Sequence, residues 1–94
     1  MVKVDTVEGV IGDYWFHYDL GNDVLYLRLE LHRRTPVVGE PTDDDLFRMR
    51  SLDDGEIVGL EVVGWWKRFG KGPRPDSMSE LARLIEPWTR RVAS

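Results

Sequence analysis

Residues 18–29 read YDLGNDVLYLRL, a polar turn followed by an apolar alternation, and this stretch decides whether the chain builds a sheet or a helix bundle. Leu25, Leu27, Leu29 and Leu31 recur with period two, the spacing that places side chains on one face of a strand. Tyr14, Phe16 and Tyr18 do the same just upstream. Between the two runs, Asp19-Leu20-Gly21-Asn22-Asp23 supplies a glycine and an asparagine able to take positive φ, and aspartates able to bond nearby backbone N–H groups. The stretch therefore reads as a hairpin of two half-buried strands, with its tyrosine and aspartates at a strand end and a turn.

Working outward, residues 46–52 and 56–63 form a second hairpin joined by Asp53-Asp54-Gly55, since Asp-Gly is a strong tight-turn signal. Phe47 and Met49 are expected to face the core with Val58, Leu60 and Val62, leaving Arg48, Arg50 and Glu61 outside. Residues 32–45, with Pro36, Pro41 and three consecutive aspartates, read as a loop holding at most a short strand at Val37-Val38. In residues 1–12, Val2, Val4 and Val7 suggest an edge strand, interrupted by glycines. After Gly64 the chain turns basic and aromatic, WWKRFGKGPRP, and breaks at Gly70, Gly72, Pro73 and Pro75.

A helix follows. Ser77 and Glu80 have capping-box spacing, and Met78, Leu81, Leu84, Ile85 and Trp88 make one apolar stripe suited to covering the sheet. Pro87 would clash with the carbonyl of Arg83, so the helix ends near Glu86 or kinks there. The fold class expected is α+β, an antiparallel meander of about four strands covered by one C-terminal helix. All 94 residues form a single domain, with the sheet over 13–66, a linker over 67–76 and the helix over 77–92.

The hairpin residues Tyr18-Asp19, Asp23 and Leu25-Tyr26-Leu27-Arg28-Leu29, with Asp54-Gly55-Glu56-Ile57-Val58-Gly59-Leu60-Glu61-Val62, resemble the prokaryotic domain of unknown function (DUF) 2283 family. The likeness spans residues 18–63, about half the chain. It implies a compact antiparallel sheet with no established activity. In some members it also implies a neighbouring gene for a small toxin-like protein, hence an antitoxin-like role. The loop at 36–45 and the extension at 65–94 depart from that pattern.

Composition excludes several function classes. Without cysteine there is neither a disulfide framework nor a thiolate metal site, and His17 and His32 alone do not make a ligand set. Asp43-Asp44-Asp45 lacks the spacing of an EF-hand loop. Ser51, Ser77, Ser79, Thr35 and Thr42 sit in no nucleophile setting, and Gly70-Lys71-Gly72 is followed by proline rather than by the helix a phosphate loop opens. No cofactor is expected, and no enzymatic activity. With no signal-peptide pattern and no membrane-length apolar run, the expected location is the cytoplasm.

A net charge of −4 argues against general affinity for nucleic acid. The expected role is a non-enzymatic protein-interaction module acting as a homodimer with a small protein partner, because a core this small leaves sheet edges and surplus aromatics to protect. The alternative is a small nucleic-acid-binding domain using residues 65–74, where cations interleave with aromatics. In either reading the partner-binding candidates are Trp65, Lys67, Arg68, Phe69, Lys71 and Arg74. The four cations lie in a Gly/Pro-rich linker and are expected to be dispensable for folding, whereas one tryptophan, Trp66, is expected to extend the apolar face of Val58, Leu60 and Val62.

Overall fold

The computed structural model describes residues 6–93. The central hairpin is β2 (Tyr14–Asp19) and β3 (Val24–Leu29), paired antiparallel with Phe16 opposite Leu27 and Tyr18 opposite Leu25. Each of these four side chains is at most 1% exposed. In the turn, positive φ falls on Asp23 (55°) and not on Gly21 or Asn22. The Asp19 carboxylate closes the turn by accepting from the backbone N–H and the side-chain amide of Asn22, at 3.1 and 2.9 Å. Leu31 leaves the strand pattern: it lies in a 3₁₀ turn, Glu30–His32, and is 88% exposed.

The α+β class holds, but the sheet has six strands and not about four. The additional elements are β1 (Thr6–Ile11) and β4 (Val37–Pro41), and the second hairpin is β5 (Phe47–Ser51) with β6 (Ile57–Val63). Their order, β1-β2-β3-β6-β5-β4, is two three-stranded meanders joined where β3 pairs antiparallel with β6, in place of one continuous meander. After β3 the chain runs to the far edge of the sheet before returning. Arg28 holds that connection by donating to the carbonyls of Arg33 and Thr35.

Among the described residues the sheet thus runs from Thr6 and not from residue 13. Gly9 breaks the apolar alternation of β1 because it lies against the ring of Phe16, 2.9 Å from where a Cβ would stand. Val7 belongs to this edge strand, while the expectation for Val2 and Val4 lies outside the described residues. β4 runs past Val37-Val38 to Pro41, which an edge position tolerates.

Register corrects the expected facing of β5. Phe47 stands opposite Glu61 and Met49 opposite Gly59, so both lie on the face away from Leu60 and Val62, and Arg48 stands opposite Leu60. A register shift at Met49/Arg50 separates this pairing from Arg50 opposite Ile57. Leu46, just before the strand, joins the core instead.

The last strand ends at Val63 and not at residue 66, and a short helix, α1 (Trp65–Phe69), takes up the expected end of the sheet and the start of the expected linker. The C-terminal helix is broken as Pro87 requires: α2 (Met78–Ile85), a 3₁₀ turn at Glu86–Trp88, then α3 (Thr89–Ala93). Ser77 caps α2, its hydroxyl accepting from the Glu80 N–H at 3.2 Å, while the Glu80 carboxylate pairs with Arg83. Leu81, Ile85 and Val92 pack with Trp65 onto Phe16, Tyr18, Leu25, Leu27, Leu60 and Val62, so the helices cover one face of the sheet. Among the described residues, no helix is long and apolar enough to cross a membrane.

Candidate interaction surface

The basic aromatic segment is held in place by one residue of the opening hairpin. Asp23, turned by its positive φ, accepts the Tyr18 hydroxyl at 2.5 Å and the backbone N–H groups of Trp66 and Lys67 at 2.9 and 3.0 Å. Its own carbonyl takes the N–H groups of Gly64 and Trp65. A carboxylate more than forty residues away in sequence thus caps α1, satisfying the first-turn donors that a helix leaves unpaired. Arg74 completes the cluster by donating to the Tyr18 hydroxyl and to the Leu20 carbonyl, both at 3.1 Å.

Partial burial pushes the Asp23 carboxyl up, but the bonds from Tyr18, Lys67 and Trp66 with the nearby Arg74 charge outweigh it and hold it below the usual carboxylate range. Burial, reinforced by the hydrogen bond to Asp23, raises the Tyr18 phenol to about 12. Tyr18 and Asp23 of YDLGNDVLYLRL are therefore a structural clasp between the hairpin and the helix that follows the sheet, while Asp19 serves the turn alone.

The candidate residues separate accordingly. Trp65 is a core residue at 2% exposure, packed edge-on to Tyr18 with ring centroids 5.0 Å apart; it takes the position expected of Trp66. Trp66 is half-buried and donates its indole N–H to the Gly72 carbonyl, folding the glycine-proline strap around its ring. Arg68 donates to the carbonyls of Val63, Asp44 and Asp45, tying α1 to the aspartate turn before β5. With Arg74 in the Tyr18 cluster, two of the four cations expected to be dispensable for folding make hydrogen bonds to other parts of the fold. Lys67 and Lys71 are exposed, and Phe69 is 44% exposed while meeting Trp88 edge-on. Trp66, Phe69, Lys71, Pro73, Pro75 and Leu84 line a cleft of about 300 Å³.

A second surface was not read from the sequence: the sheet face turned away from the helices. Register lays Glu8, His17, Tyr26, Glu61, Phe47 and Pro41 in one row across all six strands. His17 sits between the rings of Trp15 and Tyr26, at 5.8 Å from each, and 4.0 Å from the Glu8 carboxylate. Arg33 lies over the Trp15 ring at 4.8 Å and pairs with Glu8. Burial, then the charge of Glu61, raise the Tyr26 phenol.

Val10 and Val63, at 56% and 46% exposed, extend this aromatic band along the face. The alternation that predicted β2 and β3 already put Trp15, His17 and Tyr26 on this side; what it did not reveal is that register gathers them into one aromatic band on the outer face. Among the described residues, no group of three or more His, Cys, Asp or Glu side chains is placed to hold a metal ion. No protein-family model, curated protein or solved structure matches the chain.

Proposed function

We propose that this protein is a non-enzymatic protein-interaction module, antitoxin-like in the sense its resemblance to the DUF2283 family implies, that works as a homodimer and captures a small protein partner on the open face of its sheet. The observation supporting this reading is the one-sided packing: helices cover Phe16, Tyr18, Leu25 and Leu27, while Trp15, His17, Tyr26 and Phe47 line the opposite face half-buried. Aromatic side chains at such a surface give large contact area at low entropic cost, the composition of interface centres. Glu8, Asp19 and Glu61 on the same face, in a chain of net charge −4, favour a partner with a basic rim.

The test is capture from a lysate of the source cells by wild type and by a Trp15→Ser/Phe47→Ser variant, with and without nuclease. A nuclease-resistant partner bound by wild type and lost from a folded variant is the expected result. Capture abolished by nuclease and by Lys67→Ala/Lys71→Ala, but indifferent to Trp15 and Phe47, would replace this reading with nucleic-acid binding. That alternative draws on the exposed Lys67 and Lys71 beside Phe69.

A further inference from the structure

We infer that two copies of this chain join through the free edge of β1, in antiparallel register centred on Gly9. The inference rests on the homodimer reading above and gives it a geometry. Among the described residues no strand pairs with the outer edge of β1, and the strand, TVEGVI, carries neither proline nor lysine. Unprotected edges of this kind offer a row of backbone donors and acceptors to another strand. The opposite edge differs: β4 is VVGEP, closed by Pro41 and bearing the Glu40–Arg50 ion pair at 2.8 Å.

A second copy fits β1 because the strand is self-complementary in one register. Across a two-fold axis normal to the sheet, residues facing each other must share a face, so the axis lies midway between the two copies of one residue of β1. Centred on Glu8, it would oppose two carboxylates, which is unfavourable. Centred on Val10, it would leave Thr6, Val7 and Glu8 without a partner in the second copy's β1, where centring on Gly9 leaves only Thr6 so.

Centred on Gly9, Val7 meets the second copy's Ile11 on the helix-covered side, where both already pack partly buried against the core. Glu8 meets the second copy's Val10 on the open side. The two sheets become one of twice the width, and the two Trp15–His17–Tyr26 bands lie on the same side of it.

Val10 is 56% exposed and its replacement leaves the core untouched. Opposite Glu8 of the second copy, V10K places an attractive pair and V10E a repulsive one, twice per dimer. Sedimentation equilibrium at micromolar concentration should show wild type and V10K at twice the 10.9 kDa chain mass. V10E should dissociate on the order of tenfold more readily than V10K, with a gap that narrows in high salt.

A monomer at every concentration overturns both the dimer and this edge. A dimer indifferent to V10E overturns the edge alone, and equal weakening by V10E and V10K overturns the register. The chain has no cysteine of its own, so E8C and V10C supply a second measurement. Opposed residues, with Cα atoms about 4.5–5.5 Å apart, fall within disulfide reach. The mixture of the two variants should cross-link on oxidation where each alone does not, and a mixture that fails to cross-link overturns the register as well.

Discussion

The two halves of the sheet, β1–β3 and β4–β6, follow the same path from an outer strand to the centre, yet they are held together by different physics. In the first half the side chains that face the helices are Phe16, Tyr18, Leu25 and Leu27, and α2 packs on β1 while α3 packs on β3 and β6. In the second half only β6 sends comparable residues to the core, Leu60 and Val62, whereas β5 turns Arg48 to the same side. There the edge is secured by polar contacts: Arg50 grips the Glu40 carboxylate with two nitrogens, at 2.8 and 3.2 Å, and the Gly55 carbonyl at 2.7 Å. Equivalent topology does not confer equivalent burial; the reach of the helices does.

The largest effect should come from truncating the covered half. Leu27→Ala leaves a cavity beneath the helices and is expected to cost about 3 kcal/mol, as buried leucine truncations do. Val38→Ala in β4, at a half-exposed position, should stay within about 0.5 kcal/mol. Urea unfolding of both variants checks the contrast; equal losses would mean that the two halves share one core.

Next comes the clasp that ties the first half to the helices. Asp23→Ala removes the acceptor of one hydroxyl and two backbone N–H groups and should cost about 2 kcal/mol. Because the folded protein holds this carboxyl below its ordinary range, its contribution is complete above about pH 4 and drains away as pH falls through the folded value. Asp23→Asn should make that acid limb shallower, leaving the share of the other lowered carboxyls, Asp19 and Glu40.

At the alkaline end the sign reverses. Tyr18 is raised from 10.0 to about 12, so the unfolded chain ionises first and stability declines across that interval. Tyr18→Phe should lessen this decline and leave the part that the raised Tyr26 phenol contributes. Unfolding curves recorded at each pH measure both limbs.

What the sequence disclosed follows the same division. Strands β2 and β3, the Asp53-Asp54-Gly55 turn and the Ser77 cap were legible because period-two alternation, Asp-Gly and Ser-x-x-Glu are local signals. β1 was obscured because Gly9 looks like a break until Phe16 is placed beneath it, and β4 because Gly39 and Pro41 are acceptable only on an edge. α1 has no capping residue next to it; its cap, Asp23, arrives from another hairpin, and no window of neighbouring residues contains that information. The facing of Phe47 and Met49 was ambiguous because alternation gives parity within a strand, and only pairing with β6 fixes which parity meets the helices. Of the candidate site, the aromatic and basic composition of residues 65–74 was visible, but not the division of its cations between bracing and exposure.

That division should be measurable in stability. Arg68→Ala frees three carbonyls, two of the aspartate turn and that of Val63 at the end of β6, and should cost about 1 kcal/mol, whereas Lys67→Ala, one residue away and exposed, should stay within about 0.5 kcal/mol. Thermal unfolding of the two single variants is sufficient. Equal values would return Arg68 to the class of solvated linker charges.

The smallest effect belongs to the polar edge. Glu40→Gln weakens the grip of Arg50 on β4 without touching the buried side chains, so global unfolding should barely move. Local opening is the sensitive readout, since segments with few buried apolar contacts open at lower free energy than the whole fold. In hydrogen exchange the amides of β4 should exchange before those of β2 and β3 in the wild type, and earlier still in Glu40→Gln. High salt should bring the wild type toward the variant, because screening weakens an exposed ion pair. If β2 and β3 exchange as early as β4, the first half does not owe its protection to the helices, and the contrast between the two meanders fails at its root.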